Sequence, residues 1–177
     1  MDELSAADYV SEVCAAMRKG DLSALRALSL ADPSFPAGAD PWLGVPWVAH
    51  AVESDSPDVV RRVIEMGANP SALCAGYTML QKAVESKGSN RSAVMGVLID
   101  AGADVDQFGM FGYTAVHLAA EQDDVVSLEY LASRGADVGA IIQIDPIGAE
   151  SCRTAIELAR ARNPAGEAVH WLESRRA

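Results

Sequence analysis

The 177-residue sequence has few aromatic residues, few cysteines and a shortage of positive charge. Fourteen lysines and arginines stand against 25 acidic residues, which gives a formal net charge of −11. Without a basic face to neutralise phosphates, the chain is not expected to bind nucleic acid or an anionic membrane. No apolar run in the sequence approaches the roughly 18 residues of a membrane span.

The N-terminus and the cysteines indicate a reducing compartment. The first eight residues are acidic and lack the basic and apolar regions of a secretion signal. Cys14, Cys74 and Cys152 are widely spaced and odd in number, which fits buried thiols better than a disulfide framework. We therefore expect a soluble, cytoplasmic protein.

Sequence motifs for catalysis or cofactor binding are missing. No pair of His or Cys residues has metal-ligand spacing, and the sequence contains no Gly-x-Ser-x-Gly elbow, phosphate loop or dinucleotide fingerprint. We expect no catalytic residue, no metal site and no cofactor.

An internal repeat is the dominant feature of the sequence. The tripeptide Gly-Ala-Asn or Gly-Ala-Asp begins at Gly67, Gly102 and Gly135, at intervals of 35 and 33 residues. Each copy follows an apolar, alanine-rich stretch, and the clearest of these reads Gly-Tyr-Thr-Ala-Val-His-Leu-Ala-Ala-Glu over residues 112–121. A repeat of this length predicts stacked units that bury their apolar faces against their neighbours.

The copy at 112–138 resembles an ankyrin repeat, which has a β-turn, two helices and a Thr-Pro-Leu-His-x-Ala motif in about 33 residues. The resemblance implies an all-α, ankyrin-repeat solenoid of about five helix-turn-helix units with short β-hairpin loops, in a single domain spanning residues 1–177. The units are placed at 5–32 (N-terminal cap), 42–70, 74–105, 110–138 and 150–175 (C-terminal cap). It also implies that the His117 side chain hydrogen-bonds the backbone of a neighbouring unit. The other central copies have Ala49 and Gln81 at this position.

Three segments depart from the repeat pattern. The segment 86–91 carries three extra residues between two helices, and residues 32–46 are rich in Pro, Gly and Ala and are predicted to form a loop. The last hairpin is about seven residues longer and rich in isoleucine. Insertions in repeat arrays fall in loops, often on the functional face.

Superposing the units places Glu53, Glu85 and Glu121 in register at the ends of the first helices. Residues 40–140 hold 14 acidic and 6 basic residues, so this part of the chain carries −8 of the −11. We predict an acidic central groove that attracts a basic protein surface. The alternative is that the acidic residues only keep the protein soluble.

Large apolar residues occupy positions that are exposed hairpin tips in ankyrin arrays. These are predicted to bind a partner, because aromatic and methionine side chains bury much area at small entropic cost: Trp42, Leu43, Tyr77, Met110, Phe111 and Tyr113. The long last hairpin adds Ile142 and Ile144 as candidates. The alternative is that some of these side chains fold back onto the loop or the helices.

The resemblance implies a non-enzymatic protein-protein interaction module that is monomeric when free. At the level of fold and size it is similar to small bacterial immunity or antitoxin proteins, so we expect a module that sequesters or inhibits a partner with a basic surface. An adaptor or chaperone-like subunit is the alternative within this class. An enzyme on a repeat scaffold and a structural homo-oligomer are alternatives from other classes.

Overall fold

The computed structural model of the protein describes residues 5–32, 35–142 and 154–175. Within these ranges the chain forms ten α-helices arranged as five consecutive pairs. The helices are α1 Ala6–Lys19, α2 Leu22–Ala31, α3 Trp47–Glu53, α4 Pro57–Glu65, α5 Met79–Ser86, α6 Arg91–Asp100, α7 Ala115–Glu121, α8 Val125–Ser133, α9 Ala155–Arg162 and α10 Glu167–Ser174. A 3₁₀ turn covers Met110–Gly112, and two short strands, β1 Leu73–Cys74 and β2 Tyr77–Thr78, form a hairpin.

The helix pairs stack in one row. The first helix of each pair packs on the first helix of the next, in the order α1, α3, α5, α7 and α9, and α4, α6, α8 and α10 form a second row. The apolar positions of both rows meet in one continuous core, in which Val63, Leu98 and Leu131 are fully buried at equivalent positions of three pairs. The predicted all-α repeat solenoid is confirmed.

Threonines start the first helices of three pairs, as the repeat motif predicts. Thr78, Thr114 and Thr154 each close a capping box with the side chain three residues later, which satisfies backbone N–H groups that the helix leaves unpaired. The partners at that third position are Gln81, His117 and Glu157.

Glycines end the second helices at the repeated Gly-Ala-Asn/Asp tripeptide. Gly67, Gly102 and Gly135 have φ of 112°, 96° and 89°, a conformation that is strained for residues with a Cβ. The amides of the following alanines then bond the carbonyls of Val63, Leu98 and Leu131. The repeat therefore encodes both ends of its helices locally.

Hairpins or loops connect each helix pair to the next, and they all lie along one side of the stack. The β1–β2 hairpin pairs Leu73 with Thr78 and Cys74 with Tyr77. Single bridges, Ala39 to Pro46 and Ile141 to Thr154, occupy the equivalent places in other units. Residues 35–46 form the predicted loop, which buries Phe35 against the Trp47 ring at a centroid distance of 5.1 Å.

Two aspartates on the side of the stack away from the hairpins each link their own helix pair to the next pair. Asp55 and Asp123 both lie in the turn between the two helices of a pair, with φ of 53° and 57°. The Asp55 carboxylate accepts the Asn90 N–H at 3.1 Å, and Asp123 accepts the Ala168 N–H at 2.7 Å, each near the N-terminus of a second helix. The insertion after α5 therefore provides the loop that Asp55 holds.

Candidate partner-binding surface

The loop before α3 and the tip before α7 expose three of the predicted side chains. Trp42 is 60% exposed, Leu43 67% and Phe111 54%. Trp42 and Leu43 follow Asp40, whose carboxylate accepts both of their backbone N–H groups, at 2.9 Å and 2.6 Å. Both side chains therefore project from an ordered turn.

The other predicted tip residues are partly buried. Met110 packs over Gly76 of the preceding hairpin, and Tyr113 stacks at a tilt on the His117 ring with centroids 5.8 Å apart. Phe111 meets Tyr113 edge to face at 5.9 Å. Tyr77 is also partly covered. These residues support the exposed tips, which agrees with the alternative that some tip side chains fold back.

Two further exposed apolar side chains lie on the same side of the stack: Leu73, which sequence reasoning missed, and Ile141, which belongs to the isoleucine-rich last hairpin predicted as a candidate. Leu73 is 50% exposed because β1 alternates, with Leu73 outward and Cys74 inward. Ile141 is 54% exposed at the bridge to Thr154, and the neighbouring Ile142 is partly buried. Ile144 lies outside the described residues. Strand alternation is the signal that identifies Leu73.

Three aspartates accompany these apolar tips. Asp104 and Asp137 each accept a backbone N–H two residues later, at 3.0 Å and 2.8 Å, and Asp106 accepts the Asp137 N–H at 2.9 Å. Neighbouring turns are therefore linked through carboxylates. The described connecting segments, residues 35–46, 66–78, 101–114 and 135–142, contain no Lys, Arg or His. We call this side the hairpin surface, formed by Trp42, Leu43, Leu73, Phe111, Ile141, Asp104, Asp106 and Asp137.

The three aligned glutamates lie at the other end of the first helices. A helix of seven or eight residues rises roughly 10 Å, so the glutamates are set apart from the apolar tips. Lys82 Nζ lies 3.2 Å from Glu53 and 3.5 Å from Glu85, and Arg162 lies 3.5 Å from Glu121. The ion pairs of Lys82 were not predicted from the sequence, although Lys82 precedes Glu85 by one helical turn.

Lys82 reduces the charge of this row. Burial favours its neutral form, but its hydrogen bond to Glu53 and the charges of Glu53 and Glu85 raise the pKa of Lys82. It therefore remains a cation between the two carboxylates. The group of Glu53, Lys82 and Glu85 carries a net charge of −1, and the Glu121–Arg162 pair is neutral. The negative charge of the three glutamates is therefore largely balanced by Lys82 and Arg162.

His117 has the structural role that the repeat motif implies. It is fully buried. Its Nδ1 accepts the Thr114 N–H at the start of α7, and its Nε2 lies 3.0 Å from the Ala140 carbonyl of the next connection. Gln81 has the same role one unit earlier, and its Nε2 donates to the Tyr113 carbonyl at 3.0 Å. Both side chains join consecutive units.

The part of the chain that the structure describes contains no group of three or more His, Cys, Asp or Glu side chains suited to a metal ion. Among the described helices, none is both long and apolar enough to cross a membrane.

Stacked helix pairs with ordered hairpins protruding from one end define a class of repeat protein that binds through its surface. A family model of ankyrin repeats matches residues 48–142 in three copies. The chain belongs to the ankyrin repeat family, as its sequence predicts, and its repeats form a protein-interaction module; members of the family are typically non-enzymatic binding scaffolds. A search of curated proteins gives no match.

Proposed function

We propose that this module sequesters or inhibits a partner protein whose basic, partly apolar surface docks on the hairpin surface. The form we favour is an immunity or antitoxin-type inhibitor of a basic effector. One observation supports the proposal: five exposed apolar side chains and three aspartates lie on connecting segments whose described residues include no Lys, Arg or His.

Chemical complementarity supports a partner whose surface is basic and partly apolar. Exposed Trp, Leu, Phe and Ile side chains gain free energy when a partner removes them from water. The neighbouring aspartates bring negative charge beside the apolar contacts, which favours lysine or arginine on the opposing surface and disfavours an acidic one.

The order of the connecting segments supports binding at low entropic cost. The turns that carry Trp42, Leu43, Asp104 and Asp137 are held by the side-chain-to-backbone hydrogen bonds described above. A surface that is ordered before binding loses less conformational freedom when the complex forms.

Photo-crosslinking tests the proposal. Benzoylphenylalanine is placed at Phe111 in one variant and at Val126 in a matched control. Val126 is 55% exposed but lies at the start of α8, at the end of the helix pair away from the hairpins. Each variant is irradiated in a lysate of the source organism, and adducts are identified by mass spectrometry. We expect one discrete adduct from position 111 and none from position 126.

The identified partner is then purified and mixed with the unmodified protein. A stoichiometric complex that weakens in Asp104→Asn/Asp106→Asn and in 0.5 M salt, and in which the partner's activity is blocked, supports the proposal. Asp58→Asn removes an exposed charge at the start of α4, away from the hairpin surface, and serves as the control. A complex that leaves the partner fully active favours an adaptor. Equal crosslinking from both positions would contradict docking on the hairpin surface.

A further inference from the structure

The structure brings together a cysteine, a histidine and an aspartate from three separate segments. Cys14 lies on α1, His50 on α3 and Asp40 in the loop between the first two pairs. The His50 Nδ1 lies 3.6 Å from the Cys14 Sγ, and the His50 Nε2 lies 3.0 Å from Asp40 Oδ2. This order matches the arrangement of a nucleophile, a neighbouring imidazole and a group that orients the imidazole.

Asp40 is fixed as an anion. Its residue is 3% exposed, and burial opposes ionisation. The carboxylate nevertheless accepts N–H groups from Leu43, Trp42 and Val45 at 2.6, 2.9 and 3.1 Å, and together with His50 these bonds lower the pKa of Asp40. An ionised carboxylate only accepts hydrogen bonds, so Nε2 of His50 carries a proton and Nδ1 is the atom that faces the sulfur.

His50 is held in its cationic form. Its contact with Cys14 and, against the effect of burial, its contact with Asp40 raise the pKa of His50 to about 9. Near neutral pH the imidazolium donates from Nε2 to Asp40 and from Nδ1 to the sulfur. A positive charge beside the sulfur stabilises the negative charge that the sulfur carries as it attacks, because the two opposite charges attract.

We propose that Cys14 is a nucleophilic thiol, activated by the His50–Asp40 pair, that forms mixed disulfides with low-molecular-weight disulfides. The Cys14 sulfur attacks one sulfur of a disulfide R–S–S–R, a new S–S bond forms, and the original S–S bond breaks. The leaving thiolate takes up the proton lost from Cys14, so the products are Cys14–S–S–R and R–SH. Cys14 is oxidised and the leaving sulfur is reduced.

Access favours a small reagent and separates Cys14 from Cys74. Cys14 is partly exposed on α1, whereas Cys74 is buried with 9% of its surface exposed. The two thiols also differ in their neighbours, since the described contacts place an imidazole only beside Cys14. Cys74 is therefore an internal reference in the same molecule.

The test uses the full chain, fully reduced, with glutathione disulfide as the probe at pH 7. Peptide mass spectrometry follows the modification of each cysteine with time. An ordinary thiol with a pKa of about 8.5 is about 3% thiolate at pH 7. The urea-unfolded chain is the reference for such a thiol, and we expect native Cys14 to react on the order of tenfold faster, because only the folded chain places the His50 Nδ1 beside the attacking sulfur.

Two variants separate activation from exposure. His50→Gln keeps a side chain of similar size without the imidazolium, and we expect it to slow Cys14 about tenfold. His170→Gln makes the same change at an exposed position of α10 and should leave the rate unaltered. The proposal is overturned if native wild-type Cys14 reacts no faster than in the unfolded chain, a comparison that requires no variant to fold. It is also overturned if folded His50→Gln reacts as fast as the wild type.

Discussion

Raising the pH should destabilise the protein through His50. The imidazole is held by Cys14 from α1 and by Asp40 from the connecting loop, which are the titratable groups that face it in the described structure. Its pKa is about 9 in the folded chain, above the ordinary value of 6.5. The folded state therefore retains the proton at pH values where the unfolded chain has already released it.

The sign and size follow from this difference. A raised pKa contributes stability that is fully present below about pH 6.5 and is lost as the pH rises through about 9. The difference is worth at most about 3 kcal/mol. Because 16% of the His50 side chain is exposed, water screens the interaction, and we expect about 1–2 kcal/mol. In a chain of this size that loss lowers the melting temperature by about 3–6 °C.

Urea unfolding, followed by circular dichroism at half-unit steps from pH 6 to 9.5, measures the effect. His50→Gln should be less stable than the wild type at pH 6 and should lose most of this difference by pH 9.5. Cys14→Ser keeps the Asp40 contact and should show an intermediate dependence. If wild type and His50→Gln lose stability in parallel over this range, His50 does not have the raised pKa and the reasoning is refuted.

Three further changes test other contacts by urea unfolding. His117→Ala should lower the free energy of unfolding by about 2–4 kcal/mol, because it removes a fully buried side chain that caps α7 and contacts the Ala140 carbonyl. His117→Gln should lower it less, since Gln81 has the same role one unit earlier. Equal losses in the two variants would contradict this role. Asp123→Ala should cost about 1–3 kcal/mol by removing the bond to the Ala168 N–H, and Asp123→Asn should retain part of it; an unchanged midpoint in the Ala variant would show that this bond contributes nothing. Trp42→Ala should change stability by no more than about 0.5 kcal/mol because the side chain is 60% exposed; a larger loss would mean that Trp42 packs against the protein.

The helices could be predicted from sequence because their signals are local. Thr114 and His117 are three residues apart and close one capping box, and Gly135 alone provides the left-handed turn that ends α8. Such signals act within one turn of helix and recur with the repeat. The His117 bond to the next unit was likewise predictable, because the resemblance to the ankyrin motif implies it.

The candidate binding surface was harder to predict because exposure and ion pairing depend on neighbouring units. Phe111 and Tyr113 are two residues apart at one tip, but only Phe111 is largely exposed, since the Tyr113 ring lies against His117. Lys82 balances glutamates from two different units. A charge count along the sequence gives the sum for the segment but does not show which charges lie together.

The repeat period itself predicts many of the contacts between units. Gln81 bonds Tyr113, Arg91 pairs with Asp124 and Asp55 accepts from Asn90, at separations of 32, 33 and 35 residues. Adding one period to a position therefore gives a short list of its neighbours in the stack. Cys14 and His50 obey the same rule with a separation of 36.

Asp40 lies outside this rule because it comes from the irregular loop, ten residues before His50. Its placement depends on the turn that Trp42, Leu43 and Val45 form around its carboxylate, a turn that the described parts of the other connections do not repeat. The periodic part of the sequence thus encodes the cysteine-histidine contact, while the departure from periodicity supplies the anion that orients it. The same loop exposes Trp42 and Leu43, so the irregular segment contributes both to the hairpin surface and to the chemistry proposed for Cys14.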